Sequence, residues 1–386
     1  MKLFHFHNST PGGVNTVINN LIYFQQDTTL DQKIIHTYNI DNLNIDSRSH
    51  RSIATHDHSF SYSSKWNFVT ICKRLSKYIT SESDILIAHD WLELGMISTL
   101  GLSNPVIFFL HGDYSYYYQL AELHSDNIDV FICVSESISK NLKILLPHRA
   151  DDIYYRRFPV SIPTIKMDFT KKDKIIFIGR CEKSKGYFIL HDIEKNLHKL
   201  NCNINWTIVG HGHKAEKELW PSNSTVEFIN QLPNFELLKK LHDFDIIILP
   251  SSSEGMPISI IEGMKAGLIP LVNDIPGGVQ ELIQNAVTGY KIKNNNPEEY
   301  ASHINMLLND HEKMKYMSLN CIRYASTNFD PIVNTQEIEI IYRKAINQNR
   351  AKRKMWVYRS RLDQFFIPNF LVIGLRYFKN QISRIF

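Results

Sequence analysis

The chain has 386 residues, 43% of them hydrophobic and 21% charged, and a formal net charge of +4. This composition excludes a disordered or fibrous protein, and the length exceeds what one hydrophobic core serves, so two domains are expected. The charge is unevenly spread: from Arg350 to Phe386 nine Lys or Arg face a single acidic residue, Asp363, so the tail carries +8 and the rest of the chain −4. Five scattered cysteines in no paired spacing fit a reducing, cytoplasmic location and neither a disulfide framework nor a structural zinc site. The N-terminus makes a poor signal peptide. The longest uncharged run, Phe365 to Leu375, is broken by Pro368 and Asn369 and is too short to span a bilayer.

In chain order, Leu3 to Phe6 reads as a strand, Asn8 to Gly13 as a turn, and Val14 to Phe24 as a helix from its apolar spacing. Ile34 to Tyr38 is a second strand. Asp41 to Lys65, rich in Ser, His and Asp, is expected to be a long surface loop. Its His56-Asp57-His58 has metal-ligand residue types but no third site, and reads as solvated. A helix over Trp66 to Thr80 and strands at Ile85–Ala88, Val106–Leu110 and Val130–Val134 follow. A helix over Ser135 to Leu146 comes next, and Phe158 to Val160 closes the first half. Ser161 to Lys174 reads as a linker. The pattern then restarts, with strands at Ile175–Ile178, Trp206–Val209, Val226–Ile229, Ile246–Leu249 and Ile269–Val272. Helices are expected over Gly186–Leu197, Glu236–His242, Ile258–Ala266, Gly278–Gln284 and Pro297–Leu308. Short, continuously apolar strands alternating with helices indicate parallel sheets covered on both faces. The fold class is α/β, with a doubly wound sheet in each half.

Ligands of such sheets bind outside the carboxyl ends of the strands. After the first strand, Pro11-Gly12-Gly13 precedes a helix; phosphate approach and an ordinary tight turn both explain it, and the spacing is not the dinucleotide fingerprint. After Ile178, Gly179 to Gly186 places Arg180 and Lys185 where two cations suit a pyrophosphate, although charged loops are mostly solvated. Gly210-His211-Gly212 is a weaker case of backbone left bare at a strand end. The strongest segment, Ser251 to Gly263, follows a clean strand and sets Glu254 just outside a helix and Glu262 inside it, with Pro257 suited to the first helical position. The bland reading is two surface glutamates. Against it, Glu262 lies among Ile260, Ile261 and Met264, where a carboxylate wants a partner. Gly277-Gly278 before Glu281 repeats the turn. His89-Asp90 and His111-Gly112-Asp113 follow first-half strands, and each histidine is open to a structural or a cleft role.

These residues resemble the retaining GT-B glycosyltransferases of family 4, also called glycosyl transferases group 1, over roughly residues 1–345. The resemblance implies two Rossmann-like domains facing an interdomain cleft. Residues 1–165 lie on the acceptor side and 172–330 bind a nucleotide sugar. Residues 331–349 form a closing helix that returns to the first domain, and the tail 350–386 lies outside the pattern. It implies that Gly12 and Gly13 approach the donor diphosphate and that Arg180 and Lys185 neutralise it. Glu254 sits near the transferred sugar, and Glu262 holds the ribose hydroxyls. Met256, Pro257 and Ile258 bring backbone N–H groups to the sugar phosphate, Gly210 lies at the same site, and His111 stands near sugar and acceptor. The donor is a UDP- or GDP-linked sugar, with no further cofactor and no metal. The acceptor is a saccharide or a lipid-linked sugar, as in synthesis of bacterial surface polysaccharide or lipopolysaccharide. A related epimerase or phosphorylase, or a non-catalytic binding protein, shares the fold. No nucleic-acid module accompanies the basic tail. That tail has two readings: it lies on an anionic membrane surface, or it packs back with its aromatics buried and its charges in water.

Overall fold

Strands such as IIIL at Ile246–Leu249 and VIFFL at Val106–Leu110 have no polar side chain to turn to water, so they require cover on both faces. The computed structural model of the chain describes residues 1–8, 12–41, 57–163, 173–212, 217–230, 232–348, 355–356 and 360–382. The linker segment 164–172, His56, and the basic cluster Arg350, Lys352, Arg353 and Lys354 lie outside them. Contacts gather the chain into two units. One holds Met1–Cys133, Ser139–Arg156 and Thr335–Phe386; the other holds Val134–Ile138 and Arg157–Asn334.

The first unit alternates β1 (Lys2–Asn8), α1 (Gly13–Tyr23), β2 (Asp31–Asn39), β3 (His58–Tyr62), α2 (Phe68–Leu75), β4 (Ile85–Ala88), α3 (Trp91–Leu100), β5 (Val106–Leu110), α4 (Ser115–Leu123), β6 (Val130–Cys133), α5 (Glu136–Leu145) and β7 (Ile153–Tyr155). Its seven parallel strands are ordered β3-β2-β1-β4-β5-β6-β7, so the winding reverses between β1 and β4. The expectation of a loop over Asp41–Lys65 is corrected here. β3 pairs in parallel with β2, and Phe60 and Tyr62 alternate into the core against outward Ser59 and Ser61. Asp57 is likewise not simply solvated, since it sits 3.4 Å from Nε2 of His36. The start of α3 is fixed by a capping box, with Asp90 as N-cap and Glu93 reaching back, and its end by left-handed Gly101 (φ 62°).

The second unit continues with β8 (Lys174–Ile178), α6 (Leu190–Lys199), β9 (Asn205–Val209), β10 (Thr225–Ile229), α7 (Asn234–Lys240), β11 (Ile246–Leu249), α8 (Ile258–Lys265), β12 (Ile269–Asn273), α9 (Gly278–Leu282), β13 (Tyr290–Ile292), α10 (Pro297–Asn309) and α11 (His311–Asn328). The six parallel strands run β10-β9-β8-β11-β12-β13, and the reversal falls between β8 and β11, where Ile175 pairs with Ile246. The core between sheet and helices is Ile175, Phe177, Trp206, Ile246, Ile248 and Leu271 against Leu190, Leu197, Tyr300 and Ile304.

The first and last stretches of the long second-unit segment are stitched together. The fully buried Lys265 donates to Val160 O (2.5 Å) and Phe329 O (2.8 Å), and Asn334 donates to Phe158 O (3.2 Å) and Asn328 O (3.1 Å). Burial holds the Lys265 ammonium down at about 8, against the pull of Asp330 and Glu262. Beyond it run α12 (Pro331–Asn347) and α13 (Asn369–Ile382). From Thr335 onward these belong to the first unit, where Glu339 accepts from the backbone of Gln26 and Asp27.

The tail is anchored by polar groups. Asp363, fully buried, accepts from Phe68 N (2.7 Å) and pairs with Arg376 (2.8 Å), while Asn67 donates to Gln364 O and Ile367 O. Val372 is buried, but Phe366, Phe370 and Phe378 stand 81%, 71% and 67% exposed. The tail therefore packs back through its polar residues and leaves these aromatics in water. One ring does dock: Trp356 stacks on His124 at 5.2 Å between centroids, so the tail's aromatics are partly packed and partly exposed.

Candidate functional site

In the second unit the reversal point brings together the loops after β8 and β11. Ser252 N donates to Ser184 O (2.9 Å), and a Cβ on Gly186 (φ 68°) would fall 1.9 Å from Pro250 O, so only glycine permits this contact. The Asn273 side-chain amide donates to both Pro250 O and Ser251 O (3.0 Å each), and the Tyr300 hydroxyl donates to Asn273 Oδ1 (3.0 Å). Gly278 N donates to Gly255 O (2.8 Å), with a hypothetical Cβ only 2.1 Å from that oxygen. The loop that leads into α8 is thus braced on three sides, and Gly278 is a packing glycine.

On this frame Lys185 Nζ lies 2.8 Å from Glu254 Oε1, the lysine side chain a quarter exposed and the carboxylate mostly covered. The two groups expected to serve different parts of a ligand are therefore partners of each other. Arg180 is a more open cation, paired with Glu182 at 2.9 Å. Pro257 is the N-cap of α8 in extended conformation (φ −75°, ψ 104°), one residue earlier than the first helical position expected for it. Lacking an N–H, it offers no donor. Met256, Ile258 and Ser259 have N–H groups with no partner among the described residues, the free donors of a helix start. Glu262, inside α8 and 2% exposed, has the partner its surroundings demand: Asn234, at the start of α7, donates to it at 2.8 Å. Burial raises its carboxyl to about 7, with Asn234 and Lys265 pulling the other way. Gly210 (φ 151°) follows β9, and its N–H is taken by Ile229 O (2.9 Å), so that N–H is not a donor for a ligand.

Gly12, Gly13 and His111 lie in the first unit. Gly12 caps α1 in an extended conformation, and a Cβ there would meet none of the described residues within 4 Å, so no packing among them requires a glycine. Gly13 is the first residue of α1. His111 follows β5, and there the structure shows what spacing did not: His5 of β1, His89 after β4 and His111 form a hydrogen-bonded row. His5 Nδ1 is 3.1 Å from His89 Nε2, and His89 Nδ1 is 2.8 Å from His111 Nε2. Burial lowers all three, His5 to about 4, His111 to about 3, and His89 well below its usual value. Beside them Asp90 accepts from Asn8 (2.5 Å) and Tyr116, and buried Glu93 is raised to about 8. His5, Gln32, Glu93 and Asn234 were not singled out as site residues from sequence. The one signal present was the HFH of β1, which puts His5 and His7 on the same face. Among the described residues no group of three His, Cys, Asp or Glu is placed to hold a metal ion, and no helix is long and apolar enough to cross a membrane.

Residues 164–323 match the family model described as glycosyl transferases group 1. The chain is 26% identical over 221 residues to the N,N'-diacetylbacillosaminyl-diphospho-undecaprenol alpha-1,3-N-acetylgalactosaminyltransferase of Campylobacter jejuni. That match covers 56% of this chain and only 55% of the relative's length. It is 24% identical to the putative colanic acid biosynthesis glycosyltransferase WcaL of Escherichia coli, over 38% of this chain and 37% of that one. Among solved structures, Anabaena Alr3699/HepE in complex with UDP-glucose superposes with a TM-score of 0.71 at 16% identity, covering 89% of this chain and all of that one. The pneumococcal O-GlcNAc transferase GtfA with UDP and GlcNAc gives 0.70 at 13%, covering 90% and 99%. Two all-parallel α/β units of this order are the GT-B fold, and residues 164–323 are similar to the glycosyl transferases group 1 family.

Proposed function

We propose that this chain is a glycosyltransferase that moves a sugar from a nucleotide-diphosphate sugar to a saccharide or lipid-linked acceptor, with retention at the anomeric carbon. The observation that carries the reading is the Lys185–Glu254 pair at the reversal point of the second sheet, beside the free N–H groups that open α8. Strand ends at such a point are where doubly wound sheets take ligands, and a cation next to a helix start suits a diphosphate. On this reading Arg180, Lys185 and the N–H groups of Met256 and Ile258 stabilise charge developing on the leaving diphosphate. Glu254, released from Lys185, addresses the sugar, Glu262 takes the ribose hydroxyls, and Gly210 leaves room at the nucleotide. Gly12 and Gly13 belong to the diphosphate, and His111 to the sugar. The names of the relatives support the class: one transfers to a diphospho-undecaprenol lipid and another belongs to colanic acid synthesis. The test is a panel of UDP-glucose, UDP-galactose, UDP-N-acetylglucosamine and GDP-mannose, with saccharide and polyprenyl-diphosphate acceptors. It is read by nucleoside diphosphate release, product mass and anomeric configuration. A donor converted to its epimer without an acceptor would favour an epimerase, a glycoside split by inorganic phosphate to a sugar 1-phosphate would favour a phosphorylase, and an inverted product would remove retention.

The exposed aromatics of the tail favour a place of action at the cytoplasmic face of an anionic membrane. Phe366, Phe370 and Phe378 stand in water, and Lys65 and Lys379 line a cleft of about 340 Å³ with Asp41, Ser64 and Arg376. Aromatic and basic side chains together suit the headgroup region, each basic residue near anionic lipid contributing about 1 kcal/mol. Because Asp363 and Arg376 anchor the tail, its rings can be changed without removing it. The triple variant Phe366→Ser, Phe370→Ser, Phe378→Ser is expected to stop co-floating with phosphatidylglycerol vesicles at low salt while the wild type floats. Wild-type protein that stays at the bottom of the gradient would end this assignment.

A further inference from the structure

The histidine row has a direction, and the direction is set far from its end. Gln25 Nε2 donates to the backbone carbonyls of Asp27 (2.8 Å) and Leu30 (2.7 Å), which leaves its Oε1 as an acceptor. Gln32 Nε2 donates to that oxygen (2.8 Å) and toward Leu21 O (3.5 Å), so Gln32 Oε1 is the atom turned to His5 Nε2 at 2.9 Å. Reversing either amide would set oxygen against oxygen, at two carbonyls for Gln25 and at two oxygens for Gln32. His5 must therefore carry its proton on Nε2 and accept on Nδ1. A neutral imidazole has one donor and one acceptor nitrogen, so each choice forces the next. His89 donates from Nε2 to His5 and accepts on Nδ1; His111 donates from Nε2 to His89. What is left is His111 Nδ1, a bare acceptor bonded by no described residue, at the carboxyl end of β5.

We infer that Gln25, Gln32, His5 and His89 are positioning residues that lock His111 as its Nε2–H tautomer, so that Nδ1 accepts a hydrogen bond from a hydroxyl of a bound saccharide. This rests on the transferase reading for the identity of the hydroxyl, and on the amide chain alone for the tautomer. Burial of the row, which keeps the rings uncharged near neutral pH, is what allows the lock to hold. The fixed tautomer rejects a ligand that presents only an acceptor there, and it spares the site the cost of choosing a tautomer when the ligand arrives.

The test begins on the wild-type protein without donor. Selective ¹⁵N-histidine labelling and long-range ¹H–¹⁵N correlation, assigned by single His→Gln changes, should show Nε2–H with bare Nδ1 at His5, His89 and His111 at pH 7. An Nδ1–H tautomer at His111, or a protonated ring, overturns the proposal whether or not any donor is turned over. Gln32→Leu removes the acceptor that starts the chain, and Gln25→Leu frees the Gln32 amide to turn. Both should give a mixed tautomer signature at His111 and lower kcat/KM roughly tenfold, the worth of one hydrogen bond. The donor used is whichever of the four nucleotide sugars above is turned over fastest. Folded Gln32→Leu protein with a mixed His111 tautomer and unchanged kcat/KM would show that the lock does not serve transfer. Should that variant fail to fold, Gln25→Leu at the half-buried end of the chain decides the point.

Discussion

Lys185→Ala should lower kcat/KM by two to three orders of magnitude, about 3–4 kcal/mol, the usual loss when one preorganised donor to a developing negative charge is removed. The side chain is a quarter exposed and lies in a short turn after β8, so little packing goes with it. What the variant also does is strand Glu254, whose carboxylate is mostly covered and has Lys185 as its cation. The companion Glu254→Gln separates the two effects. If the pair serves only to hold the loops, both variants should lose stability together and bind UDP alike. If Lys185 is the diphosphate cation, Lys185→Ala alone should lose affinity for UDP as a competitive inhibitor. Glu254→Gln, with its lysine released, should bind UDP at least as well as wild type while turning over slowly. Equal UDP inhibition constants in wild type and Lys185→Ala would remove Lys185 from the site.

Glu262→Gln is expected to make the protein more stable and its nucleotide site worse. Burial raises the Glu262 carboxyl from 4.5 to about 7. Between those values the native state holds a proton that the unfolded chain has released, so stability falls as pH rises through this window, and the whole penalty is present above 7. A shift of that size is on the order of 3 kcal/mol. The amide, which never ionises, escapes it while keeping an oxygen for the Asn234 amide. Melting temperatures of the two proteins should lie close at pH 4.5 and diverge by pH 8, the variant melting higher. UDP affinity should fall by about 1.5–3 kcal/mol, because a carboxylate accepts ribose hydroxyls more strongly than an amide. Nucleotide binding to wild type near pH 7 should also release a fraction of a proton, visible as a buffer-dependent heat. A variant melting at the wild-type temperature at pH 8 would show that the carboxyl is not held above its normal range.

Sequence made the sheets readable because their strands are buried on both faces and have no polar residue to blur them. It read Ser251–Gly263 as well, since strand, loop, proline and helix follow one another directly. Elements were missed where pattern and environment part. β3 hides in a stretch whose Ser, His and Asp content looks solvated, and only the alternation of Phe60 and Tyr62 betrays it. α3 is apolar nearly all round, with Leu92 to Thr99 buried, so it shows no one-sided stripe. α11 has its stripe, but built from Met314, Met317, Ser318, Cys321 and Ala325, residues too small or too soft to stand out among charges. The histidine row was out of reach for a different reason. Its members come from β1 and from the residues after β4 and β5, and strand order, not spacing, makes them neighbours.

The stitch at Lys265 bears on how chains of this kind diversify. Val160 and Phe329 lie near the two ends of one uninterrupted stretch, and a single buried ammonium holds both carbonyls. A segment whose beginning and end are clasped by its own side chains behaves as a cassette: it can be lifted out and exchanged for another without altering the gap the flanking chain must bridge. A lineage can then acquire a new version of that stretch, which is most of the second unit, in one recombination event, leaving Val134–Ile138, the histidine row and the tail anchor untouched. Lys265 is the clasp of that cassette, and a graft that omits it, or omits either carbonyl, should be the one that fails to fold.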